Sequence, residues 1–217
     1  MLQRPRPTVL LTGFDPFGGE ALNPSWLAVQ ALHGCQILGH RVVAARLPTV
    51  FGQSSRVLAA LIKRHQPTLV LCVGQAGGRQ AISLERVAIN VDDARIADNA
   101  GAQPIDTPVD RSGPIAYFTS LPIKAMLLAL QGEGIAAEVS QTAGTFVCNH
   151  VFYALMHQLA TGRGLKKVRG GFVHVPYLAE QGTPCMPMDE MVRGLRVALR
   201  CALSTSVDTV HSAGAVS

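Results

Sequence analysis

The sequence predicts an α/β protein with a mixed, largely parallel sheet covered by helices on both faces. Two observations predict it. Short apolar runs that end in glycine alternate with longer segments of helical periodicity along the whole chain. The composition is 48% hydrophobic but only 5% aromatic, so the core must be built from Val, Leu, Ile and Ala, as buried parallel sheets commonly are. No repeat, linker or composition shift divides residues 1–217, and one catalytic domain is expected, with 204–217 as a flexible tail.

The elements follow in order. TVLLTG, Thr8 to Gly13, is a buried strand. After the loop FDPFGGEALN, Asn23 caps a helix that has Pro24 at its first position. Arg41 to Leu47 is a second strand. Ser54 to His65 is a helix stopped by Pro67, and Thr68 to Gly74 is a third strand running into the loop QAGGR. ISLERVAINV, Ile82 to Val91, reads as one continuous strand. Residues 92–119, with Pro104, Pro108 and Pro114, read as an irregular excursion. A helix from Leu121 to Gln131 has Ser120 as its expected cap. Then come a short strand at Ala136 to Ser140, a helix from Thr145 to Ala160, a strand at Gly171 to Val175 closed by Pro176, and a last helix from Met188 to Leu203. In such sheets functional groups gather at the carboxyl ends of strands.

Bulk properties exclude several classes. The net charge of +5 comes from dispersed basic residues, so a nucleic-acid partner is not expected. Arg193, Arg196 and Arg200 share a helical spacing that fits a solvated face. The five cysteines are odd in number and scattered, with no C-x-x-C pair, which argues against a disulfide framework or a zinc site. The amino-terminal apolar run is too short for a signal peptide, and no segment is fit to span a bilayer. Reduced thiols in the cytoplasm are expected, with no membrane partner, metal or cofactor.

Chemistry concentrates in three places. Cys148 falls in the first turn of its helix, expected to be capped by Thr145. There the helix dipole and free backbone N–H groups favour a thiolate. The same placement also suits a buried structural cysteine. His150 is excluded as the base, because residues two apart on a helix point to nearly opposite sides. His157 is nine residues on from Cys148, roughly 13 Å along the axis. His174, near the end of the strand GFVHV, fits either a catalytic imidazole or a core histidine. Glu85 lies on an apolar strand face with Ser83, Val87, Ile89 and Val91, where a carboxylate needs a partner: a histidine, or Arg79, Arg86 or Arg95. Asp15 is an alternative acid that more simply caps its own turn. GQAGGR lacks the spacing of a nucleotide-binding loop.

TGFDPFGGEALNPSW, VGQAGGR, ERVAINVDDARIADN, TAGTFVCNHVFY and GGFVHVPY, in this order, strongly resemble the pyroglutamyl peptidase I family. The resemblance runs from about Thr8 to about Leu203. It implies a phosphorylase/hydrolase-like three-layer αβα sandwich, often tetrameric. It also implies a cysteine peptidase acting on peptides with an N-terminal pyroglutamyl residue. The family's nucleophile falls on Cys148, its base on His174 and its acid on Glu85. Its lactam cradle resembles Phe14, Phe17, Ile96, Phe146 and Val147, and Gln75 and Arg95 match residues near the substrate and the cysteine. Residues 103–112, the tail, and Gln141 in place of a tyrosine depart from the pattern. Two alternatives have other chemistry: a nucleoside phosphorylase-like enzyme of the same fold, and a catalytically silent pyroglutamate-binding homologue.

Overall fold

The computed structural model describes residues 6–214. Its centre is a seven-stranded sheet. The first strand, β1 (Thr8–Phe14), is flanked by β3 (His40–Leu47) and β4 (Leu69–Gln75), both parallel to it. β2 (Gln36–Ile37) closes one edge antiparallel to β3. On the other side β9 (Arg169–Val175) runs parallel to β4, and β5 (Ile82–Glu85) reverses direction beside β9. β8 (Ala137–Ser140) completes the order β2-β3-β1-β4-β9-β5-β8, parallel to β5. The sheet is therefore mixed and largely parallel.

Alternation along the strands builds two cores. Val9 and Leu11 of β1 face one layer and Leu10 faces the other. The first layer is α1 (Pro24–Gln30), α3 (Ile123–Gly132) and α5 (Met188–Ser204). The second is α2 (Gln53–His65) and α4 (Val147–Thr161). Every residue of β4 is buried, which is why its sequence is an unbroken apolar run rather than an alternation. The result is a three-layer αβα sandwich.

Local signals hold in part. Asn23 caps α1 as expected, its Oδ1 accepting the Ser25 N–H at 3.0 Å, with Pro24 opening the helix. ISLERVAINV is not one strand. The chain breaks at Arg86, whose N–H donates to Ser140 O while its carbonyl accepts the Thr119 N–H. Beyond it, β6 (Val87–Ile89) leaves the main sheet and pairs with β7 (Ala116–Phe118), a strand inside the stretch expected to be irregular. The face shared by Ser83 and Glu85 thus ends at Glu85.

Two expected caps do other work. The Thr145 hydroxyl donates to Asp93 O, and the cap position of α4 is Phe146, which makes no side-chain cap bond. Ser120 binds across to Gly170, both ways. Helix α3 is capped instead by Asp208, whose carboxylate accepts the Lys124 and Ala125 N–H groups at 3.1 and 2.9 Å. The tail from Thr205 has no regular structure, yet Thr205 O accepts from Arg169 and Ala213 O from Arg86. The last three residues of the expected flexible tail, 215–217, lie outside the described residues. Asp208→Ala should lower the melting temperature by roughly 2–4 °C, the scale of one lost cap in a chain of this size. Asp208→Asn should keep most of it. Thermal denaturation followed by circular dichroism measures both, and an unchanged midpoint in the alanine variant would refute the capping role.

Candidate active site

The site forms where β4, β9 and β5 meet. In the register of β4 and β9, Gly74 lies opposite His174, and across the antiparallel pair Ser83 lies opposite His174. That places Glu85, the last residue of β5, beside the imidazole. His174 Nδ1 is 2.7 Å from Glu85 Oε1. A carboxylate only accepts, so Nδ1 carries the hydrogen and Nε2 is left to act.

Glu85 is fully buried, and Arg79 Nη1 reaches the same Oε1 at 2.7 Å. Burial alone would raise its carboxyl. The hydrogen bond and charge of His174, with the Ser140 hydroxyl and Arg79, outweigh burial and hold it below the ordinary carboxylate range. Arg79 is one of the three arginines expected as possible partners. It does not displace the histidine, because one oxygen serves both.

Cys148 is the second residue of α4 and packs over β4. A Cβ at Gly74 would lie 2.8 Å from Cys148 Sγ and 2.9 Å from the Phe172 ring, so only glycine leaves room for the thiol. Burial, reinforced by the Glu85 charge and only partly opposed by Arg79, pushes the thiol up to about 12. No hydrogen bond joins Cys148 to His174 among the described residues. The two side chains share the lining of one cavity of about 370 Å³.

Phe17, Gln75, Arg95, Ile96 and Phe146 also line that cavity. The Phe17 and Phe146 rings, 5.8 Å apart, make an aromatic wall, and Phe51 meets Phe146 edge-on at 5.4 Å. Two residues expected in the lactam cradle are buried in the apolar cluster against which Phe146 and Cys148 pack. Phe14 is buried in the core on the inward face of β1, its ring 6.2 Å from Phe172, and Val147 is fully buried beneath the first turn of α4. Neither lines the cavity. Asp15 pairs with Arg46 rather than with a histidine or its own turn.

His150, excluded as base, points away and has its own task. Its Nε2 accepts the Gly52 N–H at 3.0 Å, so its Nδ1 donates to Asp92 Oδ2 at 2.8 Å. This ties α4 to the turn that carries Phe51. Beside it, Asn149 clamps Ile89 and Val91 through their backbones. Each of these contacts spans at least 58 residues, and no local pattern announces them.

Other sites carry less chemistry. A larger cavity of about 650 Å³ opens between α2 and α4 at their far end, and no thiol, imidazole or carboxylate lines it. The loop QAGGR supplies Gln75, Ala76 and Arg79 to the smaller cavity, with no nucleotide-loop spacing. Among the described residues no group of three or more His, Cys, Asp and Glu is placed to hold a metal ion, and no helix is long and apolar enough to cross a membrane.

A thiol beside an imidazole whose other nitrogen is tied to a carboxylate is equipped for acyl transfer. On an α/β sandwich, this combination defines a cysteine-dependent hydrolase. The comparisons narrow the class. A family model described as pyroglutamyl peptidase matches residues 7–205. The pyrrolidone-carboxylate peptidase of Cupriavidus pinatubonensis is 57% identical over 212 residues, covering 95% of this chain and 98% of that protein. That of Bacillus mycoides is 51% identical over 213 residues, 96% of this chain and 98% of the relative. The crystal structure of Bacillus amyloliquefaciens pyroglutamyl peptidase I superposes with a TM-score of 0.90 at 48% identity, over 94% of this chain and 100% of the other. A mutant pyrrolidone carboxyl peptidase from Pyrococcus furiosus gives 0.87 at 39% identity, over 91% and 98%. The chain belongs to the pyroglutamyl peptidase family of cysteine exopeptidases.

Two outcomes test the geometry. Gly74→Ala should cut activity about a hundredfold or more while the protein still folds, because the new methyl must displace Sγ or the Phe172 ring. Activity within twofold of wild type would contradict the contact. Alkylation of Cys148 by iodoacetamide should climb about tenfold per pH unit from pH 7 to 9 without levelling, as a thiol raised to about 12 requires. A plateau reached below pH 7 would instead reveal a resting thiolate.

Proposed function

We propose that the chain hydrolyses the amide bond after an N-terminal pyroglutamyl residue of peptides and proteins, with Cys148 as nucleophile, His174 as base and acid, and Glu85 as the orienting carboxylate. The observation that carries the assignment is the buried His174–Glu85 contact at 2.7 Å, opening onto the cavity that Cys148 shares.

The thiol passes its proton to His174 Nε2 as sulfur attacks the pyroglutamyl carbonyl carbon. Substrate binding draws these groups together, since catalytic contacts commonly tighten only in the complex. The oxyanion meets backbone N–H groups at the start of α4, which no side chain caps. Collapse breaks the C–N bond, and the imidazolium protonates the leaving amine. Water then attacks the thioester, giving its proton to Nε2, and the departing sulfur takes that proton back. Glu85 keeps Nδ1–H in place and stabilises the imidazolium throughout.

The cavity selects by what it lacks. Its volume, about 370 Å³, suits a small ring. Its inner wall is apolar, from Phe17 and Phe146, while Ile96 and the carboxylate of Asp93 sit at the exposed rim. A lactam is uncharged and can enter. A free α-ammonium would lose its water there without a buried partner. Gln75 and Arg95 meet the polar groups of the substrate. The same reading places the protein in a reducing cytoplasm, where its five free thiols persist. It also includes a homo-oligomer, tetrameric by family resemblance.

A fluorogenic pyroglutamyl amide tests the assignment. Wild type should turn it over, Cys148→Ser should lose about a thousandfold or more, and the matching glutaminyl amide should be cleaved at a small fraction of the rate. Undiminished turnover by Cys148→Ser, or equal rates on the two amides, would sink it.

A further inference from the structure

Gln181 is held from two sides by groups whose roles admit no exchange. Its Oε1 accepts the Leu178 N–H at 3.2 Å, and a backbone N–H can only donate. Its Nε2 donates to Leu22 O at 3.4 Å and to the Glu20 carboxylate at 3.3 Å, both acceptors only. Turning this amide over would set oxygen against oxygen and N–H against N–H. Its orientation is therefore fixed without reference to the active site.

Gln181 Nε2 also lies 3.2 Å from Gln75 Oε1, the shortest of three contacts that share its two hydrogens. Facing an NH₂ group, Gln75 must present its oxygen, so its own NH₂ lies on the other branch of the amide. Gln75 is 7% exposed, and what it exposes is part of the cavity lining that holds Cys148 and His174. Its Nε2 has no protein partner among the described residues and is not sealed from the cavity. A free N–H at the wall of a small, largely apolar cavity calls for an acceptor on the ligand.

We infer that Gln181 is a positioning residue for substrate selection: it turns Gln75 so that an N–H, not a carbonyl, meets the ring carbonyl of the lactam. This rests on the peptidase reading above. A pyroglutamyl group has two acceptors. The scissile carbonyl must lie over Cys148, within reach of the helix N–H groups. The ring carbonyl is the other, and it is what separates this ring from a prolyl ring of the same size. With Gln75 turned the other way, two oxygens would face each other in a dry site, and rejection by such mismatches is strong.

The test moves one carboxylate. In Glu20→Gln/Gln181→Glu the total charge is kept and the Leu178 N–H keeps an acceptor, but Gln75 now faces a carboxylate and must turn its NH₂ toward it. KM for pyroglutamyl aminomethylcoumarin should rise about tenfold to a hundredfold with kcat within about threefold. The inhibition constant of 2-pyrrolidone, which carries the ring carbonyl but no scissile bond, should rise by a similar factor. Gln181→Met removes every polar contact of the side chain and leaves Gln75 free to take either orientation, so its KM should rise by only about threefold. This ranking separates orientation from structural support, since loss of support alone would make the methionine variant the worse of the two. Melting temperatures confirm that both are folded. A methionine variant worse than the exchange, or a 2-pyrrolidone constant unchanged in the exchange, would overturn the inference. A wild type inactive on the pyroglutamyl substrate would overturn the peptidase reading itself.

Discussion

The site depends on one buried carboxylate oxygen. Glu85 Oε1 accepts from His174 and from Arg79, each at 2.7 Å, in a position with no solvent exposure. An unpaired carboxylate there would lose several kcal/mol, or take up a proton and cease to orient the imidazole. With two donors it stays ionised, and its pKa direction agrees. Because the group is depressed on folding, the stability it contributes is present above the unfolded carboxyl value and is lost as pH falls through the lower folded one. The imidazole tautomer, the direction of Nε2 and the local acid tolerance all follow from that oxygen.

The fold serves this arrangement through a reversal and a break. Three parallel strands would bring only their carboxyl-end residues to the site. The antiparallel run of β5 beside β9 sets Ser83 opposite His174 and brings in, two residues further along that strand, a carboxylate whose oxygen reaches the imidazole. The break at Arg86 then lets the chain leave the sheet at once, so that Glu85 ends its strand and the following segment can wrap α4. Gly74 completes the fit by leaving the space the thiol occupies.

Much of this was legible in the chain. Alternating apolar runs and helical periods gave the layers, since burial on both faces of β4 and β9 imposes a recognisable pattern. Helix geometry alone separated Cys148 from His150. Glu85 stood out as a charge on an apolar face, which had to be paired. What was not legible depends on distant contacts. Nothing near Asp208 marks it as the cap of a helix 84 residues earlier, and nothing near Arg86 marks a break made by Ser140 and Thr119. Nor does the motif show that strand alternation buries the Phe14 ring in the cluster behind Phe146 and Cys148, while Phe17 lines the cavity.

The electrostatics of the thiol follow from the same oxygen. The charge that fixes the His174 tautomer also opposes ionisation of Cys148, and burial opposes it more. Arg79 works against both effects, lowering the thiol while it holds the carboxylate. The arginine is thus the counter-charge that lets a buried carboxylate sit near the Cys148 thiol. It does not cancel the effect, and the thiol stays raised. In the proposed reaction, proton transfer to His174 then accompanies attack rather than preceding it. In that order charge develops on sulfur only when an electrophilic carbon is there to receive it, and the imidazolium forms only beside the carboxylate that stabilises it. On the proposed mechanism, a protected thiol in the open cavity and an active nucleophile in the complex follow from one geometry, and the substrate makes the difference between them.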